Sequence, residues 1–268
     1  MTSARSDISR RRVLLAFDHG APATQPLAMA RTLVETLGGE LAGLFVEDIN
    51  LLRLAALPFT REVGATSGLS RPIELLDVER ALRVQAQAAK RLLAELAAEL
   101  SVPWSFRVER GEMLERVLAQ MTESVAAVLV PPALSYKLEP ATGARAGRPR
   151  SSTRHLLVVW DRSSTETQTV AIALRLAAAQ HAAITLAVVG GGGSVSDPPP
   201  PALASLLASA PPGLRMLSLP RSEAAMLVRQ LRATGSDLLV LSWRALADEP
   251  GQMRALIEGF GSPVVLIG

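Results

Sequence analysis

There is no cysteine among the 268 residues, which excludes disulfides, thiolate metal sites and cysteine nucleophiles together. Aromatic residues make up only 3% of the chain, so any core must be aliphatic, and stacking platforms for single-stranded nucleic acid have little to be built from. Lysine is nearly absent: 26 of the 28 basic residues are Arg. No uninterrupted apolar run reaches the ~18 residues of a membrane span. Even the Ala-rich stretch from Ala171 to Val189 is broken by Arg175, Gln180 and His181. A large excess of one charge is missing too, the formal net charge being +3.

The positive charge gathers in two places, Arg5 with Arg10, Arg11 and Arg12, and Arg145 with Arg148, Arg150 and Arg154. Neither cluster has interleaved aromatics, so both read as solvated segments and a nucleic-acid partner is not expected. Ser9-Arg10-Arg11-Arg12 has the look of a twin-arginine export signal, but the apolar run behind it extends only from Val13 to Phe17 and stops at Asp18. An export signal needs an apolar region of about 7–15 residues. That segment reads as a first β-strand, and a cytoplasmic location without membrane contact is the expectation.

What is present is an internal repeat. Val13-Leu14-Leu15-Ala16-Phe17-Asp18 aligns with Leu156-Leu157-Val158-Val159-Trp160-Asp161. At the same offset and without a gap, Ala28, Ala30 and Leu33 fall on Ala171, Ala173 and Leu176, and Leu44-Phe45-Val46 falls on Ala187-Val188-Val189. Short continuous apolar runs are what parallel strands covered on both faces require. Between them Leu27, Ala30, Val34 and Leu37 recur at helical spacing, with Thr24 as a cap, Pro26 in the first turn and Gly38-Gly39 as a stop. In the second copy Ser163-x-x-Glu166 has capping-box form. Strand, helix, parallel strand is the βαβ unit, with its right-handed crossover.

Third strands are expected at 104–108 and 214–219, and fourth strands at 125–130 and 237–241. The helix between them carries Leu114, Val117, Leu118 and Met121 in one copy, and Met226, Leu227, Val228 and Leu231 in the other. The copies then diverge. The second continues through a helix bearing Met253, Leu256, Ile257 and Phe260 to a fifth strand at 264–267, and the first has neither element. Instead the first copy carries a long amphipathic helix at 74–100, expected to cover its own sheet. Domain boundaries follow: a truncated unit at 12–133, a Gly/Pro/Arg-rich linker at 134–152, and a complete unit at 153–268.

These features resemble the universal stress protein family in its tandem form. The resemblance is carried by the strands ending in Asp18 and Asp161, by Ser236-Asp237-Leu238-Leu239-Val240-Leu241, and by the ending Ser262-Pro263-Val264-Val265-Leu266-Ile267. It implies an α/β fold of doubly wound parallel open sheets, strand order 3-2-1-4-5, with dimer-like pairing through the last strand. Some members bind ATP through a Gly-x2-Gly-x9-Gly-(Ser/Thr) loop after the fourth strand, where small residues let backbone N–H groups approach phosphate.

That loop is degenerate here. The first copy has Pro131-Pro132 at its start, which removes two backbone donors. The second has Ser242-Trp243-Arg244-Ala245-Leu246, without early glycines. Gly251, nine residues, then Gly261-Ser262 fits the end of the motif numerically. However, Asp248 stands where another Gly is required, and Gly261 reads as a helix stop.

The candidate ligand-binding residues are Asp18, His19, Asp161, Ser242 and Arg244, all at carboxyl ends of strands, where open α/β sheets bind ligands. Asp18 and Asp161 either contact a ligand or cap the next loop or helix. Glu47-Asp48 read as acids at the start of a short helix containing Leu51, Leu52 and Leu54. His155 opens a strand and His181 sits in a helix-to-strand turn, and neither has metal spacing. The Gly190–Gly193 run lacks a following Lys-Ser/Thr and reads as a loop.

The function expected is a non-enzymatic stress-response or regulatory module acting through protein contacts or a small ligand. The alternative is an ATP-binding member using the second copy, with weak hydrolysis. No metal and no certain cofactor are expected. The expected partner is a second copy of the chain, joined through the fifth strand, or another protein.

Overall fold

The computed structural model describes residues 11–19, 24–63, 68–122, 124–132, 153–161, 167–190, 201–208, 210, 213–220, 222–244 and 250–268. The expected linker at 134–152, the residues after Gly190 in the glycine run, and Ser163-x-x-Glu166 lie outside them.

The first half runs β1 (Arg12–Phe17), α1 (Thr24–Leu37), β2 (Glu40–Asp48), α2 (Ile49–Ala55), β3 (Arg61–Val63), β4 (Ser70–Pro72), α3 (Leu75–Leu100), β5 (Trp104–Gly111), α4 (Met113–Ala119) and β6 (Val125–Val130). The second runs β7 (His155–Asp161), α5 (Gln168–Gln180), β8 (Ala183–Val189), α6 (Pro201–Ala208), β9 (Arg215–Leu219), α7 (Ala224–Arg232), β10 (Leu238–Ser242), α8 (Pro250–Phe260) and β11 (Val264–Ile267).

The repeat is reproduced in the strand register. Arg12 pairs with Glu40 and Phe17 with Phe45, while His155 pairs with Ala183 and Trp160 with Val188, so the same repeat positions face each other in both halves. Within each half the strands of the main sheet are parallel, and β3 and β4 form a separate antiparallel pair. The first has the order β5-β2-β1-β6 and the second β9-β8-β7-β10-β11, which is third-second-first-fourth, completed among the described residues by a fifth strand only in the second.

The two doubly wound halves share one nine-stranded sheet, because β11 also pairs with β6, antiparallel, with Val264 opposite Val130 and Ile267 opposite Ala127. The position beside β6, where a fifth strand of the first half would stand, is filled by the fifth strand of the second. The expectation that β11 offers a free edge to a second chain is thereby corrected: both its sides are hydrogen-bonded, and the outer strands of the sheet are β5 and β9.

Alternation along the strands sends successive side chains to opposite faces. Val13 and Leu15 meet α1, α3 and α5 on one face, through residues such as Leu33, Leu93 and Leu176. Leu14 and Leu266 meet α4, α7 and α8 on the other, through Val117, Leu231 and Leu256. Each of these cores runs through both halves.

The long helix does cover its own sheet. Leu82, Ala86, Ala89, Leu93 and Leu96 are buried at spacings of three and four, and Gly43 of β2 lets the helix come close. A Cβ at Gly43 would stand 2.7 Å from Leu93 Cδ2 and from the Phe106 ring.

Helix ends follow local chemistry. Asp48 caps α2, its carboxylate accepting from Asn50 N at 2.8 Å, and Glu47 instead accepts from Arg110 at 3.1 Å. Gly38, after α1, has φ +67°, and His181, at the same repeat position after α5, has φ +53°. The left-handed turn is therefore kept although only one of the two residues is glycine. The cap of α5 is Thr167, and it makes no side-chain capping bond. The β3–β4 hairpin was not expected from the sequence.

Candidate functional site

Each half presents a carboxyl edge at the point where strand order reverses, between its first and fourth strands. In the second half, β7 and β10 run in register through Leu156–Leu238, Leu157–Leu239 and Val158–Val240. This brings Asp161, at the end of β7, to the same edge as Ser242, at the end of β10. Ser242 is buried and Arg244 is exposed. Gly190, at the end of β8, has φ +93°, and a Cβ there would stand 3.3 Å from Asp161 Oδ1.

Two backbone N–H groups at this edge are committed. Trp243 N donates to Ile267 O at 3.1 Å, and Gly268 N donates to Ala126 O at 3.1 Å. The indole closes the space beside them: a Cβ on Gly268 would stand 2.7 Å from Trp243 Nε1. The Arg244 guanidinium carbon is 5.8 Å from the Trp243 ring centroid, within cation–π range. The edge is thus formed by an Asp, a buried hydroxyl and an Arg laid on an indole.

In the first half, β1 and β6 run in register through Leu15–Leu129. Continuing that register sets Phe17 beside Pro131 and Asp18 beside Pro132, and the two proline nitrogens carry no hydrogen to donate. Because β6 and β11 are antiparallel, this edge lies at the opposite end of the sheet from the edge holding Asp161. The five candidate residues therefore form two separate groups. Asp18 and His19 stand at one end, and Asp161, Ser242 and Arg244 at the other.

Gly261 has φ +81° and follows α8 directly, so it is the helix stop its sequence position implied. His155 is structural. Its Nε2 lies 2.8 Å from Thr185 Oγ1 and its Nδ1 lies 3.3 Å from Ser236 Oγ, which is 2.8 Å from Thr234 Oγ1. Burial holds the His155 pKa below the usual imidazole range. Arg215 adds to this effect and Asp237 opposes it. Among the described residues no group of three or more His, Asp or Glu side chains is arranged to hold a metal. No helix among them is long and apolar enough to cross a membrane.

One polar grouping was not singled out from the sequence. Arg12, Glu40, Ser105, Arg107 and Gln120 surround a cavity at the amino edge of the first half. Its members are scattered over three strands and the residue that follows α4, and only alternation on three adjacent strand starts connects them.

The fold and edges define a doubly wound, mostly parallel α/β protein with two unequal halves in one sheet. No protein-family description matches the chain, and no curated protein matches it. Solved structures to which it is similar include a universal stress protein from Archaeoglobus fulgidus, 9% identical, covering 97% of this chain and 96% of that one with a TM-score of 0.47. A functionally unknown protein from Pseudomonas aeruginosa is 10% identical, with coverages of 96% and 92% and a TM-score of 0.46. These are likenesses of overall architecture. The description of the fold rests on the strand order and register of the chain itself.

Proposed function

We propose that the chain is a non-catalytic, universal-stress-protein-like stress-response or regulatory module that works through protein contacts or a small ligand, without a bound nucleoside triphosphate. The observation that carries this reading is the state of the backbone at the two carboxyl edges. A phosphate cradle needs several free N–H groups converging on one point. At one edge Pro131 and Pro132 have none. At the other the Trp243 N–H is used by Ile267 O, with the indole lying where small residues would be needed.

The test is nucleotide analysis of denatured purified protein, together with an ATP titration in magnesium followed by calorimetry. Protein free of nucleotide and no saturable heat is the expected outcome. Stoichiometric ATP, or tight magnesium-dependent binding, overturns the reading.

A second reading is favoured by one specific observation. Asp161, Ser242 and Arg244 lie at one carboxyl edge, at the switch point where open α/β sheets bind ligands. On that reading the second half alone binds a nucleotide, and Ser242→Leu abolishes the binding while Asp18→Asn leaves it unchanged.

A further inference from the structure

The cavity at the amino edge of the first half lies on the face that α4 covers, at the opposite end of that half from Asp18. It has a volume of about 130 Å³. Its existence follows from the lengths of the elements. Helix α4 has seven residues and buries Leu114 and Val117, so it covers only part of the sheet. The sheet beneath is apolar, through Leu14, Ala42 and Leu44. The rim is polar: Arg12, Glu40, Ser105, Arg107 and Gln120.

The repeat supplies an internal control. The positions of Arg12 and Ala42 are held by His155 and Thr185 in the second half, and there the two side chains hydrogen-bond at 2.8 Å, with Ser236 completing the closure. The second half fills this place with its own polar groups. The first leaves it open and surrounds it with guanidinium groups.

Ser105 Oγ donates to Glu40 Oε1 at 3.0 Å, and Gln120 Nε2 donates to Glu109 Oε1 at 3.0 Å, so both carboxylates have donors. Arg12 and Arg107 bring two guanidinium groups to the lining, opposite Glu40 and beside Glu109.

We propose that this cavity binds a small oxyanion, a phosphate-sized or short carboxylate group, held by Arg12 and Arg107, with Glu40 opposing a second negative charge. The volume corresponds to roughly four water molecules. That admits one such group and excludes a nucleotide, which needs a pocket of about 300 Å³ or more. The proposal gives the small-ligand form of the function above a location and a chemistry, but it does not depend on the absence of ATP at the carboxyl edges.

The experiment is a titration of the full chain with inorganic phosphate, and in a second arm with acetate, at constant ionic strength in chloride, read by amide chemical shifts. Saturable shifts at residues of β1, β2 and β5 are expected, and the stronger of the two arms identifies the anion class. Arg12→Gln and Arg107→Gln should each weaken binding about tenfold or more, the scale of a lost charge-assisted hydrogen bond. Glu40→Gln should tighten it severalfold, which mere damage to the fold would not do. Failure of both anions to shift these residues beyond chloride overturns the proposal, as does unchanged affinity in Arg12→Gln. ATP binding lost in Ser242→Leu but kept in Arg12→Gln would count against the non-nucleotide reading and leave the oxyanion site standing.

Discussion

At the scale of single residues, His155 illustrates how a sequence position hides its role. From the sequence it is a lone imidazole at a strand start, with solvation or structure as its expected fate. In the fold it ties β7 to Thr185 and Ser236, and burial lowers its pKa. The sign of the resulting pH dependence is fixed. The unfolded chain protonates this imidazole near its ordinary value of about 6.5, before the folded chain does. The stability contributed by neutral His155 is therefore present above that pH and declines as the pH falls through the range between the two values. Urea denaturation at a series of pH values should show the wild type losing more stability below pH 6.5 than His155→Gln, which keeps the hydrogen-bonding capacity without the titration. Parallel profiles for the two proteins would disprove the assignment. The left-handed position shared by Gly38 and His181 was legible only in part, as a stop at Gly38-Gly39. Nothing in the residue type of His181 marks it as a helix terminator.

Among the secondary-structure elements, the apolar runs were the most readable features. The strands at 125–130 and 264–267 have the expected bounds, because a strand covered on both faces must be continuously apolar. The helix expected at 74–100 begins one residue later, at Leu75, since eight apolar positions at helical spacing leave little choice. The hairpin of β3 and β4 escaped notice because all six of its residues are exposed, so no hydrophobic pattern marks it. The amino-edge cavity was not legible at all, since it depends on where α4 ends relative to β1, β2 and β5. Packing between elements can be tested at Gly43, where α3 approaches β2. Gly43→Val would force Leu93 and Phe106 apart. A loss of about 1–3 kcal/mol is expected for overpacking of this kind, measured by chemical denaturation. A change below the error of that measurement would mean that α3 shifts freely.

For the molecule as a whole, the governing fact is that β6 and β11 join the halves through main-chain hydrogen bonds, with both cores continuous across the join. Such a body should unfold as one unit. Its three tryptophans make this measurable, because Trp104 belongs to the first half and Trp160 and Trp243 to the second. Variants retaining Trp104 alone or Trp160 alone, the others replaced by Phe, should give coincident urea transitions once each is normalised to its own stability by far-ultraviolet circular dichroism. Separate midpoints within one variant, fluorescence against circular dichroism, would mean that the halves melt independently.

The same junction bears on how the protein is made. Strand β6 consists wholly of buried apolar residues, and the strand that completes its second side is encoded about 135 residues downstream, Val130 facing Val264. During synthesis the first half must wait with a sticky, unpaired ribbon until Val264–Ile267 have cleared the ribosome, and a pairing so distant along the chain closes slowly. The nascent chain is then a natural client for chaperones, and premature termination before Val264 should yield insoluble product even though every other strand has been translated.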